Sequence, residues 1–589
     1  VQGLRRISRD PIMPGSLVVL LMLATALGVI GSAFSSTLDR SQRERARYEA
    51  GADLRILHNG DRVPVLSLGF SDMINGQSGA GPSAEVQRSA GQLLTQGFAT
   101  TRISVLAVDT DQFQQVAWRR SDFFRGQSLG NLMASLWSAP AALAHKTDGI
   151  LLPAETTGLS LAVHFNQPSS RLAIQARLRD STGRYFDVQV GELETRGWQQ
   201  LQGDLTPFRP QTRRSSSTEE GPPVFPPFTL MSLQLVDRLR TNEPGTIFLD
   251  ELAAVTPAGQ VILEDFQSLE DWQIIEDYTR PGLYALDLSE SVHIDGHSQS
   301  AAYSWSPGGL GIRGLRPGEL ENPIPAIVSP AILELANLRL GETVTLGSSN
   351  FALPITIIAV ADYFPTLDPR EQPFVVLDLK TFNHHANRHN QRLEGGSNEL
   401  WVQLESNQEA APNIITELEA TGLRVKEHYL ADDLISQRVE QPLANAGWGG
   451  LLVLMFLTLV LASASGVVLF SYMDTKERQT EFALLRTLGS SKPQLNGVVW
   501  FTLFLVVVCG IGMGTWAGQV IGSSLLPVLE VAEGGVRVTP PMVLQANWVT
   551  LTISYLVLAS VSLGTVVWLA WLMSRMEIHH VLRAGEAGT

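Results

Sequence analysis

The stretch Leu451–Met473, LLVLMFLTLVLASASGVVLFSYM, lies in the first of three long uncharged runs that fill the last quarter of the chain. No Asp, Glu, Lys or Arg occurs in Gln441–Met473, Pro493–Leu529 or Val538–Ser574. Each run exceeds the roughly 20 apolar residues that a helix needs to cross a bilayer, so three transmembrane helices are expected. Trp448, Tyr472, Trp500, Trp548, Trp568 and Trp571 fall near the ends of these runs, where amphipathic rings settle at headgroup level. The middle run carries Gly510, Gly514, Gly518 and Gly522 at four-residue spacing. On a helix these form one stripe along which another backbone can approach closely, so the stripe is expected to be a helix–helix contact.

Between the first two runs lies Asp474–Gly489, DTKERQTEFALLRTLG, followed by Ser490, Ser491, Lys492 and Pro493. Leu484, Leu485 and Leu488 recur at helical spacing with Phe482 beside them, while Glu477, Arg478, Glu481 and Arg486 cover the other side. Gly489 and Pro493 supply a stop, which predicts a short amphipathic helix at the membrane face. The order of span, "KERQTEFALLRTLGSS", Gly-rich span, short outer loop and final span resembles the permease domain of FtsX-like ABC transporters from Gln441 to about Leu582. The resemblance implies that the short helix is a coupling helix docking on a separate ATPase subunit through Glu477, Arg478, Glu481, Phe482, Leu485, Arg486, Leu488 and Gly489. The alternative is an interfacial helix lying on lipid. Such a helix would favour Lys and Arg on its polar side, whereas acids and bases alternate here.

The chain has 589 residues, too many for one domain, and a formal net charge of −15, which argues against nucleic acid as a partner. Hydrophobic content is an ordinary 44% because the spans are diluted by a long polar region. The single cysteine, Cys509, sits inside the middle apolar run. The large polar region is therefore expected to rely on its core rather than on disulfides, and no cysteine-type zinc site is possible.

Near the start, Arg5, Arg6 and Arg9 precede an uncharged run from Pro11 to Leu38 whose core, Leu17–Phe34, is long enough to span. Arg40, Arg43, Arg45 and Arg47 on its other flank leave the positive-inside comparison tied. The family resemblance breaks the tie by placing both termini and the 474–492 loop in the cytoplasm of a prokaryote's inner or plasma membrane. "LRRISRDP", the span and "YEAGADLRI" also resemble the start of the second half of long duplicated permeases, implying a missing N-terminal half. The partners so implied are an ABC ATPase subunit, the membrane, a second permease half or a homodimer, and an extracytoplasmic substrate.

The expected fold is thus a membrane protein with four transmembrane helices and a large extracytoplasmic α+β domain carrying an inserted antiparallel β-sandwich. Its expected divisions are 1–50 (first span, and a stalk from Asp39 to Ala50), 51–158 (first part of the α+β core), 159–305 (sandwich), 306–440 (second part of the core), 441–582 (permease domain) and 583–589 (cytoplasmic tail). Strand-like alternation begins near Arg102, and "LAVDTDQFQQVAWRRSDF" reads as strand, turn and short helix. Pro325–Val328, Ala331–Leu340, Leu340–Gly347, Ile355–Leu367 and Pro373–Leu379 continue the mixed pattern, with a strand–helix–strand near Glu399–Lys426. This region resembles the periplasmic core domain of MacB-type permeases.

Leu159–Phe165, Arg171–Arg179, Tyr185–Val190, Trp198–Leu205, Thr229–Val236 and Thr246–Leu252 alternate as short strands between Gly, Pro, Asn or Asp turns, the pattern of an antiparallel sandwich. "GELETRGWQQLQGDL" and "GTIFLDEL" resemble the closing strands of galactose-binding-like jelly rolls. Trp198, Trp272, Tyr303 and Trp305 are candidates to stack on sugar rings, although a sandwich Trp is more often core. Pro207–Pro227 reads as a mobile loop.

The sequence contains no G-x-x-x-x-G-K-[ST] phosphate loop, so ATP hydrolysis is expected on another chain. His384, His385 and His389 in "NHHANRH" include an i, i+4 pair without the H-E-x-x-H glutamate, and read as a solvated loop rather than a metal site. Without a G-x-S-x-G elbow, no active site, metal or cofactor is assigned. Two functions are left: a permease subunit coupling a separate ATPase to export or to mechanical work on a lipid, lipoprotein, peptide or envelope partner, or a membrane-tethered glycan-binding receptor without transport.

Overall fold

The computed structural model describes residues 12–575 apart from 59–70, 72–73, 75–78, 96–97, 142–148, 168, 208–223, 238–242, 279, 308–312, 319–321, 349–351, 390–395, 406–409, 421–424, 440–441, 478–491 and 530–536. The chain divides into two compact units, residues 1–46 with 435–589 and residues 47–434. In chain order, α1 (Ile12–Ala50) precedes β1 (Leu54–His58), β2 (Ala80–Thr95), β3 (Phe98–Val108), α2 (Thr110–Val116) and α3 (Leu129–Ala141). Twelve strands follow: β4 (Ile150–Leu151), β5 (Gly158–Phe165), β6 (Ser169–Arg179), β7 (Tyr185–Leu193), β8 (Gly197–Asp204), β9 (Thr229–Asp237), β10 (Gly245–Thr256), β11 (Gly259–Glu264), β12 (Trp272–Ile274), β13 (Tyr284–Ser289), β14 (Ser300–Trp305) and β15 (Gly314–Pro317). Next come β16 (Ile324–Val328), α4 (Pro330–Ala336), β17 (Thr343–Gly347), β18 (Ala352–Val360), β19 (Phe374–Asp378), α5 (Leu379–His389), β20 (Glu399–Leu404), α6 (Ala410–Ala420), β21 (Val425–Leu430) and α7 (Ala431–Val439). The chain closes with α8 (Pro442–Glu477), α9 (Lys492–Leu529) and α10 (Trp548–Arg575).

The first unit is helical. α1 runs unbroken through Asp39–Ala50, where Arg40–Glu44 and Arg43–Asp39 pair at i, i+4 on the helix surface. Leu17 and Leu21 of α1 cluster with Val467 of α8 and Val506 of α9, and Ala24 of α1 clusters with Val460 of α8 and Leu558 of α10. By length and composition, Gly15–Ala50 and Phe504–Ser524 are long and apolar enough to cross a membrane. Leu454–Leu469 and Leu551–Val561 are shorter apolar helices among the described residues. Leu461, Phe504, Trp516 and Val549 all point outward from this unit. Water would not tolerate so large an apolar surface; hydrocarbon would.

The second unit contains two bodies. The mixed-sheet body has nine strands in the order β17-β18-β16-β19-β3-β2-β20-β1-β21, with β17 also pairing β2. That extra ladder, Thr345↔Leu94 to Gly347↔Gln92, closes β17, β18, β16, β19, β3 and β2 into a ring. Inward residues of all six strands share one core with Ile332 of α4 and Leu379, Phe382 and Ala386 of α5. The strand–helix–strand near Glu399 is β20–α6–β21, whose apolar residues Leu400, Val402, Ile414 and Leu418 cluster with Leu54 and Ile56 of β1.

The two-sheet body comprises two six-stranded antiparallel sheets. One has the path β13-β14-β10-β5-β8 with β11 on β10, and the other the path β12-β15-β9-β6-β7 with β4 on β9. Alternation along the strands puts Leu159, Leu161 and Val163 of one sheet and Ile174, Ala176 and Leu178 of the other into a common core. The strands of this body lie between Ile150 and Pro317, a wider span than 159–305. The added β4 and β15 are two and four residues long, too short to show alternation. Most of the Pro207–Pro227 stretch lies outside the described residues.

Two expectations are corrected. The "NHHANRH" segment is no solvated loop but the C-terminal part of α5, and Asn383, His385, Asn387, Arg388 and His389 are all buried. Its polar residues face a polar joint, as described below, which is why composition alone suggested solvent. Trp272, Tyr303 and Trp305 are core residues, 3%, 0% and 4% exposed, so they offer no face to a sugar. Their polar atoms are satisfied internally: Trp272 Nε1 donates to Glu264 Oε2, Trp305 Nε1 donates to the Glu243 carbonyl, and Tyr303 Oη accepts from Gly314 N. Trp198 alone of the four is part-exposed, packing edge-on against His164.

Candidate functional site

The glycine stripe of α9 lies against α1. A Cβ added to Gly510 would stand 2.7 Å from Leu21 Cβ, one on Gly514 would be 2.6 Å from Thr25 Cβ and 2.7 Å from the Met22 carbonyl oxygen, and one on Gly518 would be 2.8 Å from Val29 Cβ and 2.9 Å from the Ala26 carbonyl oxygen. A Cβ on Gly522 would meet nothing within 4 Å. The partner residues Leu21, Thr25 and Val29 repeat the same four-residue spacing and are buried. Two helices in apolar surroundings gain little from hydrophobicity, so close backbone approach, with Cα–H groups facing carbonyl oxygens, supplies the attraction. Thr25 keeps its hydroxyl satisfied by donating to the Leu21 carbonyl at 2.7 Å.

The other helices are joined by similar devices. Gly28 of α1 leaves room for the Phe456 ring of α8, and Thr515 Oγ1 of α9 pairs with Tyr555 Oη of α10 at 2.8 Å. At the start of α10, Gln545 N donates to Thr37 Oγ1 at 3.0 Å and Ser36 Oγ donates to the Gln545 carbonyl at 2.6 Å. Asn547 caps α10 by accepting from Val549 N at 3.1 Å. α1 is therefore tied to α8 and α9 by packing and to the segment entering α10 by hydrogen bonds.

Of the residues expected to meet an ATPase, Glu477 alone lies among the described residues. Glu477 ends α8, and Arg478, Glu481, Phe482, Leu485, Arg486, Leu488 and Gly489 lie outside the described residues.

Residues 452–578 match the family model of the FtsX-like permease C-terminal domain. This segment takes in most of α8, all of α9 and α10, and the 478–491 stretch between α8 and α9. No curated protein matches the chain. FtsX-like permeases work with an ABC ATPase subunit, and the FtsX-like segment here contributes three of the four helices that pack in the first unit.

Outside the FtsX-like segment, one buried cluster of ionisable groups surrounds Glu399. Glu399 is buried between Arg88, which donates to it from Nε, and Arg55, whose Nη1 is 3.7 Å away, and it accepts from Trp401 Nε1 at 3.0 Å. Burial alone would push its carboxyl up, but the two guanidiniums and the indole outweigh burial and hold it below the usual range. Among the described residues, no group of three or more His, Cys, Asp or Glu is placed to hold a metal ion. Neither the pairing of Glu399 nor the burial of His385 and His389 was visible in the sequence, because each depends on strands distant along the chain.

Proposed function

We propose that the chain is the transmembrane subunit of an ABC-type machine whose ATP hydrolysis takes place on a separate protein. The supporting observation is the FtsX-like match over 452–578, which brackets the amphipathic loop between α8 and α9. On this reading α1, α8, α9 and α10 are four spans of a prokaryotic inner membrane, residues 474–492 form the cytoplasmic coupling helix, and the unit at 47–434 stands outside. That outer unit is a MacB-like mixed-sheet core with an inserted β-sandwich. On the same reading the catalytic work belongs to the separate ATPase. Nucleotide-driven movement of the coupling helix passes through the helix seam to the outer unit as a rigid-body switch, serving export of an amphiphile or mechanical work on a lipid, lipoprotein, peptide or envelope partner. A second permease half or a second copy completes the pair.

The glycan-receptor reading loses three of its four aromatic contacts to the core. The test is ATPase stimulation. Phe482→Ala with Leu485→Ala keeps helix propensity and should abolish stimulation of the copurifying ATPase while the spans stay folded. Unchanged stimulation would remove the coupling role of these residues, and the absence of any copurifying ATPase would remove the permease reading itself.

A further inference from the structure

α5 stands at the joint between the two bodies of the second unit. Its apolar stripe, Leu379, Phe382 and Ala386, enters the ring core of the mixed-sheet body, and Asp378 begins the helix by accepting from Thr381 N at 2.8 Å. The opposite side meets the two-sheet body. Arg177 of β6, ion-paired to Asp187 of β7 at 2.7 Å, donates through Nη1 to the Asn387 carbonyl at 2.6 Å. Arg388 donates through Nη2 to the Pro317 carbonyl of β15 at 2.8 Å, beside the buried Arg316. Tyr278 packs on His389 at 5.4 Å between ring centroids, with Asp277 next to it in sequence.

His384 occupies the decisive position. Arg388 Nη1 lies 3.2 Å from its Nε2. A guanidinium can only donate, so Nε2 is the acceptor and carries no proton. The single proton of the neutral ring then sits on Nδ1, which donates to Tyr185 Oη of β7 at 3.0 Å. A second proton would set donor against donor and cation against cation at 3.2 Å. His385, packed edge-on against His384 at 5.8 Å, adds a further titratable ring, and Lys380 at the start of the helix is paired with Asp111. His384 is only part-buried, so solvent protons reach it.

We propose that α5 is a proton-operated catch: with His384 neutral it latches the two-sheet body to the mixed-sheet body, and protonation of His384 releases the latch. The inference rests on the geometry of the joint and holds whether or not the chain couples to an ATPase.

The experiment is a pulsed electron-resonance distance measurement on the full chain in lipid nanodiscs. Nitroxides are placed through Gln260→Cys in the two-sheet body and Glu334→Cys in the mixed-sheet body, both exposed positions, in a Cys509→Ser background. Between about pH 8 and pH 5, where histidine changes charge, a second population with a different separation should grow about tenfold. His384→Gln, which keeps a donor and an acceptor but cannot titrate, should hold the pH 8 distance throughout. A wild-type distance unchanged across the range overturns the proposal, and so does a Gln variant that follows the wild-type curve. Should the variant fail to fold, the wild-type series still decides.

Discussion

At Gly514 the backbone of α9 comes so close to α1 that even a methyl group would meet the Met22 carbonyl oxygen at 2.7 Å. Because that neighbour is backbone, relief requires moving a helix rather than rotating a side chain. Gly514→Leu or Gly518→Leu should therefore cost about 1–3 kcal/mol or more by overpacking, read as a lower melting temperature in detergent with membrane insertion intact. Gly522→Leu, facing open space, should leave the melting temperature unchanged; equal losses at all three positions would remove the seam as the cause. Glu399 makes a prediction of a different kind. Its carboxyl is held below the usual range in the folded protein, so its contribution is present above about pH 4.3, the unperturbed glutamate value, and is lost as pH falls through the lowered folded value. Glu399→Gln leaves Arg55 and Arg88 without their counter-charge and should cost about 3–5 kcal/mol at neutral pH. The gap between variant and wild type should narrow in strong acid, as followed by denaturant titration with tryptophan fluorescence. The glycine spacing was legible because one helix period is enough to show it. The pairing of Glu399 was not, because Arg88 and Arg55 lie more than 300 positions away in sequence.

Among elements, the strands of the two-sheet body were legible wherever one face is core and the other solvent. β7 alternates buried and part-buried residues along YFDVQVGEL, and period two is the signature of that environment. β2 was missed, and its environment explains why. Its stretch Ser83–Gln87 is buried at every position because helices and strands cover both sides, so alternation vanishes. The polar members of that stretch are held by distant groups, as when Ser397 Oγ donates to Glu85 Oε2 at 3.0 Å. α5 misled for a related reason, since a helix wedged between two bodies carries a polar side that composition reads as solvent. The aromatic residues of the two-sheet body give the element-scale prediction. Trp272→Ala empties the core and should cost about 3–5 kcal/mol, while the part-exposed Trp198→Ala should cost clearly less. Chemical denaturation of the two variants side by side checks the ordering, and a larger loss at Trp198 would contradict the core assignment.

For the whole molecule, the disposition of the chain about the membrane decides what a helix seam can transmit. α1 is one helix from Ile12 to Ala50, with no proline after Pro14 and no positive-φ residue until Gly51, where the chain turns with φ +84. Gly is needed there because a Cβ would collide with Trp401 and Thr366. On the proposed function, a displacement from the ATPase would pass along this helix. For that displacement to start at an ATPase, residues 474–492 must lie in the cytoplasm and the long region after α1 on the other side. Single cysteines at Ser216 and Ser490, in a Cys509→Ser background, test this in intact cells with a membrane-impermeant thiol reagent. Ser216 should be labelled in intact cells and Ser490 only after the membrane is opened. The reverse pattern would place the amphipathic loop outside, where no ATPase can reach it. The family match over 452–578 would then have to be read without a cytoplasmic engine, and the mixed charges of Glu477, Arg478, Glu481 and Arg486 would need an extracytoplasmic partner instead.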